Sequence, residues 1–429
     1  MVFAQSQSCM DRAAPVVSTP AQRYGLVRDA SVALCDCLQP EDTVVQSMPD
    51  ASPTKWHLAH TTWFFEQFLL GRDAAWRPLH AQWNYLFNSY YQTVGPMHAR
   101  PQRGLLTRPT LAEVLDYRRN VDEHMVRLLD RSGEDTQLLN LLDIGLNHEQ
   151  QHQELLLTDI KHLFWLNPLL PAFRSMSLRR TNHAVPEQRW LPGHDGIVEI
   201  GHAGDGFAFD NETPRHRTLL QPHAIARRTV TNAEFAQFIA DQGYATPTLW
   251  MAEAWDIIVR EGLKRPLYWA EDGESEFTLH GQCAIDPNAP VAHVSFYEAH
   301  AFARWAGARL PTEAEWECQA QDRPIHGNFA DSEVLQPRPA THDDGAADAP
   351  LQLFGNVWEW TSSPYVNYPG YRPLPGALGE YNGKFMCGQW VLRGGSCATP
   401  AGHIRASYRN FFYPSARWQF AGIRLAKDA

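Results

Sequence analysis

The chain has no apolar stretch near the roughly 20 residues that a membrane-crossing helix requires. Its opening, MVFAQSQSCMDRAAP, has no basic segment followed by a hydrophobic one. It has no long run of one charge sign: the formal net charge of -11 is spread over both halves, which disfavours nucleic acid or an anionic membrane as the main partner and favours a small molecule. It has no C-x-x-C pair. The seven cysteines, Cys9, Cys35, Cys37, Cys283, Cys318, Cys387 and Cys397, are odd in number and scattered, a pattern of reduced thiols rather than a disulfide framework or a zinc ribbon. These absences predict a soluble cytoplasmic protein, and neither an internal repeat nor a low-complexity tract complicates the reading. What is present is bulk. With 429 residues, 44% of them hydrophobic, the chain is long enough for two or three domains with substantial cores.

The sequence is written in two grammars. Residues 1–20 are small, polar and broken by proline, and are expected to be a loose tail. Residues 21–170 carry helical periods: 22–38, then WHLAHTTWFFEQFLL behind a Ser52 cap and Pro53, then TLAEVLDYRRNVDEHMVRLLD behind Thr110, then 136–166. Four such helices predict a bundle. Residues 171–195 read as a linker. Across 196–429 apolar runs shorten, proline, glycine and tryptophan become frequent, and two short helical patterns stand out, at 231–243 and 296–308. An irregular α+β domain is expected there.

The fourth helix carries His148 and His152, which a four-residue spacing places about 40° apart on one face and one turn apart, so that both imidazoles can reach one ion. Gln151 flanks that face, whereas Glu149 and Gln150 rotate away. Glu154 lies roughly 200° round from His152, which suits a supporting or structural carboxylate better than a ligand. His162 falls about 15 Å too far along the axis. Two ligands from one helix hold an ion weakly, so a third is expected from the second helix, where His57 and His60 compete on nearly equal terms. An isolated H-x-x-x-H is common by chance; it gains weight from histidines on a neighbouring helix. Neutral imidazoles suit iron, zinc, nickel or copper alike.

Between the second and third helices, WNYLFNSYYQTVGPMHARPQRGLLTRPT is too long for an idle connection and too aromatic for disorder, so it reads as a functional loop or, as the runner-up, a lid. Tyr90 and Tyr91 can bring a phenol towards a metal, and Arg100 and Arg103 can clamp a carboxylate, although as isolated residues they read equally as packing tyrosines and solvated arginines. Near the end, RNFFYPSARWQFAGIRLA holds Asn410, Phe411, Phe412 and Trp418, a cluster able either to form ordinary core or to surround a quaternary ammonium by cation–π attraction.

Taken together, WHLAHTTWFFE and NHEQQHQELLLTDIKH in the first half, followed by ETPRHRT, VTNAEF, VSFYEAHAFARWAGARLPTEAEWE, FGNVWEW, VLRGGS and AGIRLA in the second, resemble the ergothioneine-forming sulfoxide synthases over residues 25–428. The resemblance implies an α + (α+β) chain: an N-terminal DinB-like four-helix bundle followed by a loop-rich domain similar to the formylglycine-generating enzyme, of C-type-lectin-like character. It implies an Fe(II) cofactor held by His60, His148 and His152, which decides between His57 and His60. It further implies Gln151 against the imidazole of Nα-trimethylhistidine (hercynine), and Asn410 and Phe411 against its trimethylammonium group. One subgroup takes γ-glutamylcysteine through an Asp and an Arg in the last segment and a tyrosine in the second domain. Phe412, Ala416 and Leu378 stand near those positions here. FNSYYQTVG resembles the other subgroup, which implies Tyr90 and Tyr91 as the catalytic tyrosines, free cysteine as the thiol donor, dioxygen as oxidant, and Arg100 and Arg103 as anchors for the donor carboxylate. The formylglycine-generating activity itself needs a reactive cysteine pair late in the domain, and no cysteine follows Cys397. The rival expectations are a metal-dependent thiol transferase of DinB type, a binding module, and a related synthase using selenium or histidine.

Overall fold

Thr19 accepts a bond from the Gln22 amide while the Gln22 side chain returns one to the Thr19 amide, and this reciprocal cap, with Pro20 at the first helical position, starts helix α1 (Pro20–Ala33). The computed structural model describes residues 19–131, 133, 135–176, 184–346 and 348–429; nearly all of the expected tail and the middle of the expected linker lie outside the described residues. Helix α1 stops five residues short of the expected 38, continuing as turns over 34–37, and Leu38 enters an apolar cluster with Leu157 and Ile160. Then follow α2 (Thr54–Phe68), a short α3 (Trp83–Phe87), α4 (Leu111–Arg131) and α5 (Thr136–Leu166). Helix α5 has the bounds its apolar period predicts. Helix α2 does not take its expected cap: Pro53 occupies the capping position without a side-chain bond, and Ser52 gives its amide to Asp159 and accepts at its hydroxyl from Arg103.

Helices α1, α2, α4 and α5 pack as the four-helix bundle, with α2 buried from Thr54 to Glu66. Its approach to α5 depends on Gly145, where a Cβ would stand 2.5 Å from the Phe65 ring. A helix-interior glycine costs about 1 kcal/mol against alanine. Here it permits the interhelical distance at which histidines from α2 and α5 meet.

Glu149 is fully buried between α1 and α4. It accepts from Arg28 at 2.7 Å, from Ser31 at 2.6 Å and from Arg118. Burial alone would raise this carboxyl, but the Arg118 and Arg28 guanidiniums override it and hold it at about 2, against an ordinary 4.5. A depressed carboxyl contributes stability that is full above its unfolded pKa and lost as the pH falls through its folded one. Melting temperatures are therefore expected to fall between about pH 4.5 and pH 2, by the equivalent of on the order of 3 kcal/mol. Glu149→Gln should lower the stability at neutral pH and flatten that acid limb; an unchanged limb would remove Glu149 as its cause.

In the second half, a four-stranded sheet runs in the order 410–412, 390–393, 358–364, 421–422, antiparallel except for the last pair. A three-stranded antiparallel sheet joins 190–192, 223–226 and 426–428. Both expected short helices are present, α6 (Asn232–Ala240) and α8 (Phe296–Trp305), each begun by a reciprocal cap, Thr231 with Glu234 and Ser295 with Glu298. Two more were not foreseen, α7 (Ala252–Glu261) and α9 (Glu313–Ala320). Every residue of α9 is buried, so it has no polar face and no visible period; its one sequence signal is the Thr312–Glu315 cap.

The two halves share one apolar core that runs from Tyr24 through α2 and α5 to Trp358, Tyr408 and Leu425. Glu154 fastens them together. It accepts from Trp358 Nε1 at 2.8 Å, Ser396 Oγ at 2.5 Å and Thr399 Oγ1 at 2.6 Å, all in the second half. Of its two expected roles it takes the structural one. No helix among the described residues is long and apolar enough to cross a membrane.

Candidate metal centre

His60 on α2 and His148 and His152 on α5 each turn a ring nitrogen towards a common point, the three atoms lying within 4.8 Å of one another. Among the described residues they are the one such group of three or more histidine, cysteine or carboxylate ligands. The Nε2 atoms of His60 and His148 are 3.2 Å apart, close to the roughly 3–3.4 Å between neighbouring nitrogens on an ion with bonds of about 2.1 Å. Burial lowers the pKa of all three, reinforced at His60 and His152 by the neighbouring imidazoles; His148 falls to about 3. All three are therefore neutral with lone pairs available, so the donor set fits a borderline metal such as iron or zinc.

The supporting shell is built from both helices. His60 Nδ1 donates to the Phe87 carbonyl at 2.6 Å, which leaves its Nε2 lone pair free, and the ring is stacked between Trp56 at 4.6 Å and Trp63 at 5.6 Å. His57, the rival candidate on α2, stands behind the cluster, with Nδ1 on His152 Nδ1 at 2.8 Å and Nε2 on Asp159 Oδ2 at 3.1 Å. His162 turns away to Ser47.

Gln151 lies beside the histidines. Its amide donates to the Tyr408 hydroxyl at 2.6 Å and its carbonyl accepts from the Tyr381 hydroxyl. The Tyr381 ring is also 5.4 Å from that of His148. Neither tyrosine was foreseen; each stands in loop sequence more than 200 residues from Gln151 and carries no periodic signal. Leu378, expected near a second-domain tyrosine position, packs against the core, and Tyr381 three residues later brings a second-domain phenol beside His148.

The rings of Tyr90 and Tyr91 lie 4.6 Å apart, tilted by 32°. Tyr91 is fully buried against Trp63 and Phe68, and the Tyr90 phenol is the neighbouring group that acts most strongly on its hydroxyl. Burial raises both phenols well above their ordinary range, so both are protonated. The second domain grips this loop: Glu380 accepts from the amides of Gln92 and Thr93, each at 2.9 Å. Phe385 bridges Tyr90 at 5.1 Å to Phe411 at 6.0 Å, and Phe411 stacks on Tyr365 at 4.0 Å. The strand with Asn410 and Phe411 is thereby linked to the tyrosines, with both side chains half-buried.

The two arginines part company. Arg100 is exposed and donates to the Asp50 carbonyl. Arg103 is buried, its guanidinium 3.3 Å from the centre of the Trp56 ring and bonded to Ser52 and Ser89 at 2.9 Å each. No carboxylate pairs with it among the described residues.

A bundle presenting three histidines, closed by a loop-rich second domain, defines a class of two-part metal-site proteins. In keeping with it, residues 23–156 match the DinB superfamily and residues 175–348 and 349–429 match the sulfatase-modifying factor enzyme 1-like domain. The chain is 33% identical over 415 residues to the hercynine oxygenase of Mycolicibacterium thermoresistibile, covering 89% of this chain and 88% of that one. It is 32% identical to that of Mycolicibacterium smegmatis, covering 96% and 99%. Ergothioneine biosynthesis protein 1 of Schizosaccharomyces pombe is 29% identical, over 56% of this chain and 29% of that protein. The chain belongs to the hercynine oxygenase family and is an oxygenase.

Proposed function

We propose that this chain binds Fe(II) through His60, His148 and His152 and uses dioxygen to join the imidazole of Nα-trimethylhistidine to cysteine as a sulfoxide, a step of ergothioneine biosynthesis. The observation that carries the reading is the placement of Gln151, a hydrogen-bonding amide held between Tyr381 and Tyr408, beside three neutral imidazoles aimed at one point. The reaction balances as imidazole C–H plus thiol S–H plus O2 giving the C–S(=O) product and water. The iron supplies the site at which thiolate and oxygen are brought together and the electrons exchanged.

The protein's own groups do the rest. Gln151 orients the acceptor imidazole, and Phe411, with Tyr365 and Phe385 behind it, faces the trimethylammonium group. Asn410 supplies a polar edge beside it. Arg103, a buried guanidinium without a carboxylate, suits the donor carboxylate; Arg100 is a weaker anchor from its exposed position. The water formed takes two protons, released by the imidazole carbon and the thiol, and the protonated phenols of Tyr90 and Tyr91 are placed to carry a proton to the reduced oxygen. Closure by 380–385 keeps bulk water from the thiol chemistry.

The test is an aerobic assay with Fe(II), trimethylhistidine and a panel of thiols, read by mass spectrometry. A sulfoxide adduct with cysteine, absent without oxygen, is expected; turnover under strict anaerobiosis would instead mark a thiol transferase and overturn the reading. Within it, Phe411→Ala should raise KM for trimethylhistidine roughly 2- to 30-fold, the worth of one cation–π contact, with a smaller change in kcat. An unchanged KM would remove Phe411 from the ammonium site.

A further inference from the structure

We propose that Asp159 and His57 form a hydrogen-bonded relay onto His152 that sets the electron-donating strength of that ligand, which makes both of them positioning residues of the metal centre. The proposal rests on the three-histidine site argued above. Asp159 Oδ2 takes the Ser52 amide at 2.7 Å and His57 Nε2 at 3.1 Å, and His57 Nδ1 meets His152 Nδ1 at 2.8 Å. All of this is enclosed, with Asp159 6% and His57 3% exposed.

The direction of the relay follows from the chemistry of its members. A carboxylate only accepts, so His57 Nε2 carries the proton it presents to Asp159. His57 Nδ1 is then a lone pair and must accept from His152 Nδ1–H. That leaves the Nε2 lone pair of His152 for the cluster, the nitrogen a ligand needs. The anion thus acts through one imidazole on the next and makes His152 more basic.

The other two histidines lack this device. His60 Nδ1 donates to a neutral carbonyl at 2.6 Å, and His148 Nδ1 has no hydrogen-bond partner among the described residues. At Nδ1, therefore, the three ligands differ: a carboxylate acts through His57 on His152, a neutral carbonyl accepts from His60, and His148 has no hydrogen-bond partner among the described residues. Such outer partners orient the ligand and raise its basicity, and their loss typically costs 10–100-fold in metal affinity or activity. A more electron-rich ligand also favours the oxidised ion, which is what an oxygen-using centre requires.

Asp159→Asn is the discriminating variant. The amide oxygen can still accept from Ser52 and His57, and the amide nitrogen takes the place of Oδ1, which has no partner, so shape is kept and charge removed. Fe(II) affinity by chelator competition and the midpoint potential by mediated titration are measured on the full chain, with the melting temperature as a check on folding. Affinity is expected to fall roughly 10–100-fold and the potential to move positive. His57→Gln, which keeps an acceptor for His152 but breaks the link to the carboxylate, should shift both in the same direction and serves if the first variant does not fold. Wild-type affinity and potential in a folded variant would overturn the relay while leaving the three-histidine site intact. Failure of the wild-type protein to take up Fe(II) would overturn that site, and the relay with it.

Discussion

His152→Ala is expected to abolish iron binding and turnover together. A site of three imidazoles cut to two, both remaining ligands coming from different helices, loses its chelating face, and the effect should exceed the 10–100-fold typical of losing an outer partner. The truncation also leaves His57 Nδ1, now bonded at 2.8 Å to His152, without a partner in a buried place, at a cost of about 1–3 kcal/mol. The melting temperature should therefore drop, yet the protein should stay folded, because the core of the bundle lies in the apolar residues of α2, α4 and α5 and in the Arg28–Glu149–Arg118 network. His162→Ala is the internal control: further along α5 and turned to Ser47 and Trp165, it should leave metal content and turnover unchanged. Iron stoichiometry by elemental analysis, alongside product yield, separates the outcomes. An active His152→Ala enzyme would remove the proposed centre.

Replacing Tyr90 and Tyr91 together by phenylalanine should lower sulfoxide formation by about 10²–10⁴, the usual worth of a placed proton donor, without changing iron content. The pair is well suited to such a test. The Tyr91 hydroxyl is buried and interacts with the Tyr90 phenol, which the double variant removes with it, so no partner is left unsatisfied and the fold should be indifferent or slightly more stable. The single variants divide the work. Tyr90→Phe and Tyr91→Phe, measured separately, show which phenol carries the loss. Equal product yield in the double variant would count against both.

The legible parts of this molecule were the ones governed by local rules. The four bundle helices could be read because an amphipathic period is a property of neighbouring residues, and α5 was delimited at both ends by its own pattern. The pairing of His148 with His152 was equally visible, since four residues are one turn. The illegible parts were those in which burial is complete or partners are distant. Helix α9 is buried on every side and so shows no period. Helix geometry removed Glu154 from the ligand face but left a supporting and a structural role open, and only its distant partners Trp358, Ser396 and Thr399 show it to be a fastening between the two halves. The choice between His57 and His60 could not be made from α2 alone, where both stand on the inward side; family resemblance favoured His60, and the fold groups His60 with His148 and His152 and puts His57 behind His152.

By itself, then, the amino-acid order determined which segments become helices, which face of α5 carries imidazoles, and that an aromatic, glycine- and proline-punctuated second half must fold differently from the first. Only the tertiary structure decided what surrounds those imidazoles: Tyr381 and Tyr408 on Gln151, Asp159 behind His57, Arg103 beneath Trp56. The reason is physical. Helical periodicity is set by backbone bonds four residues apart, whereas the character of a buried polar group is set by whichever atoms the packed chain brings within about 3 Å of it, and those come from anywhere along its length.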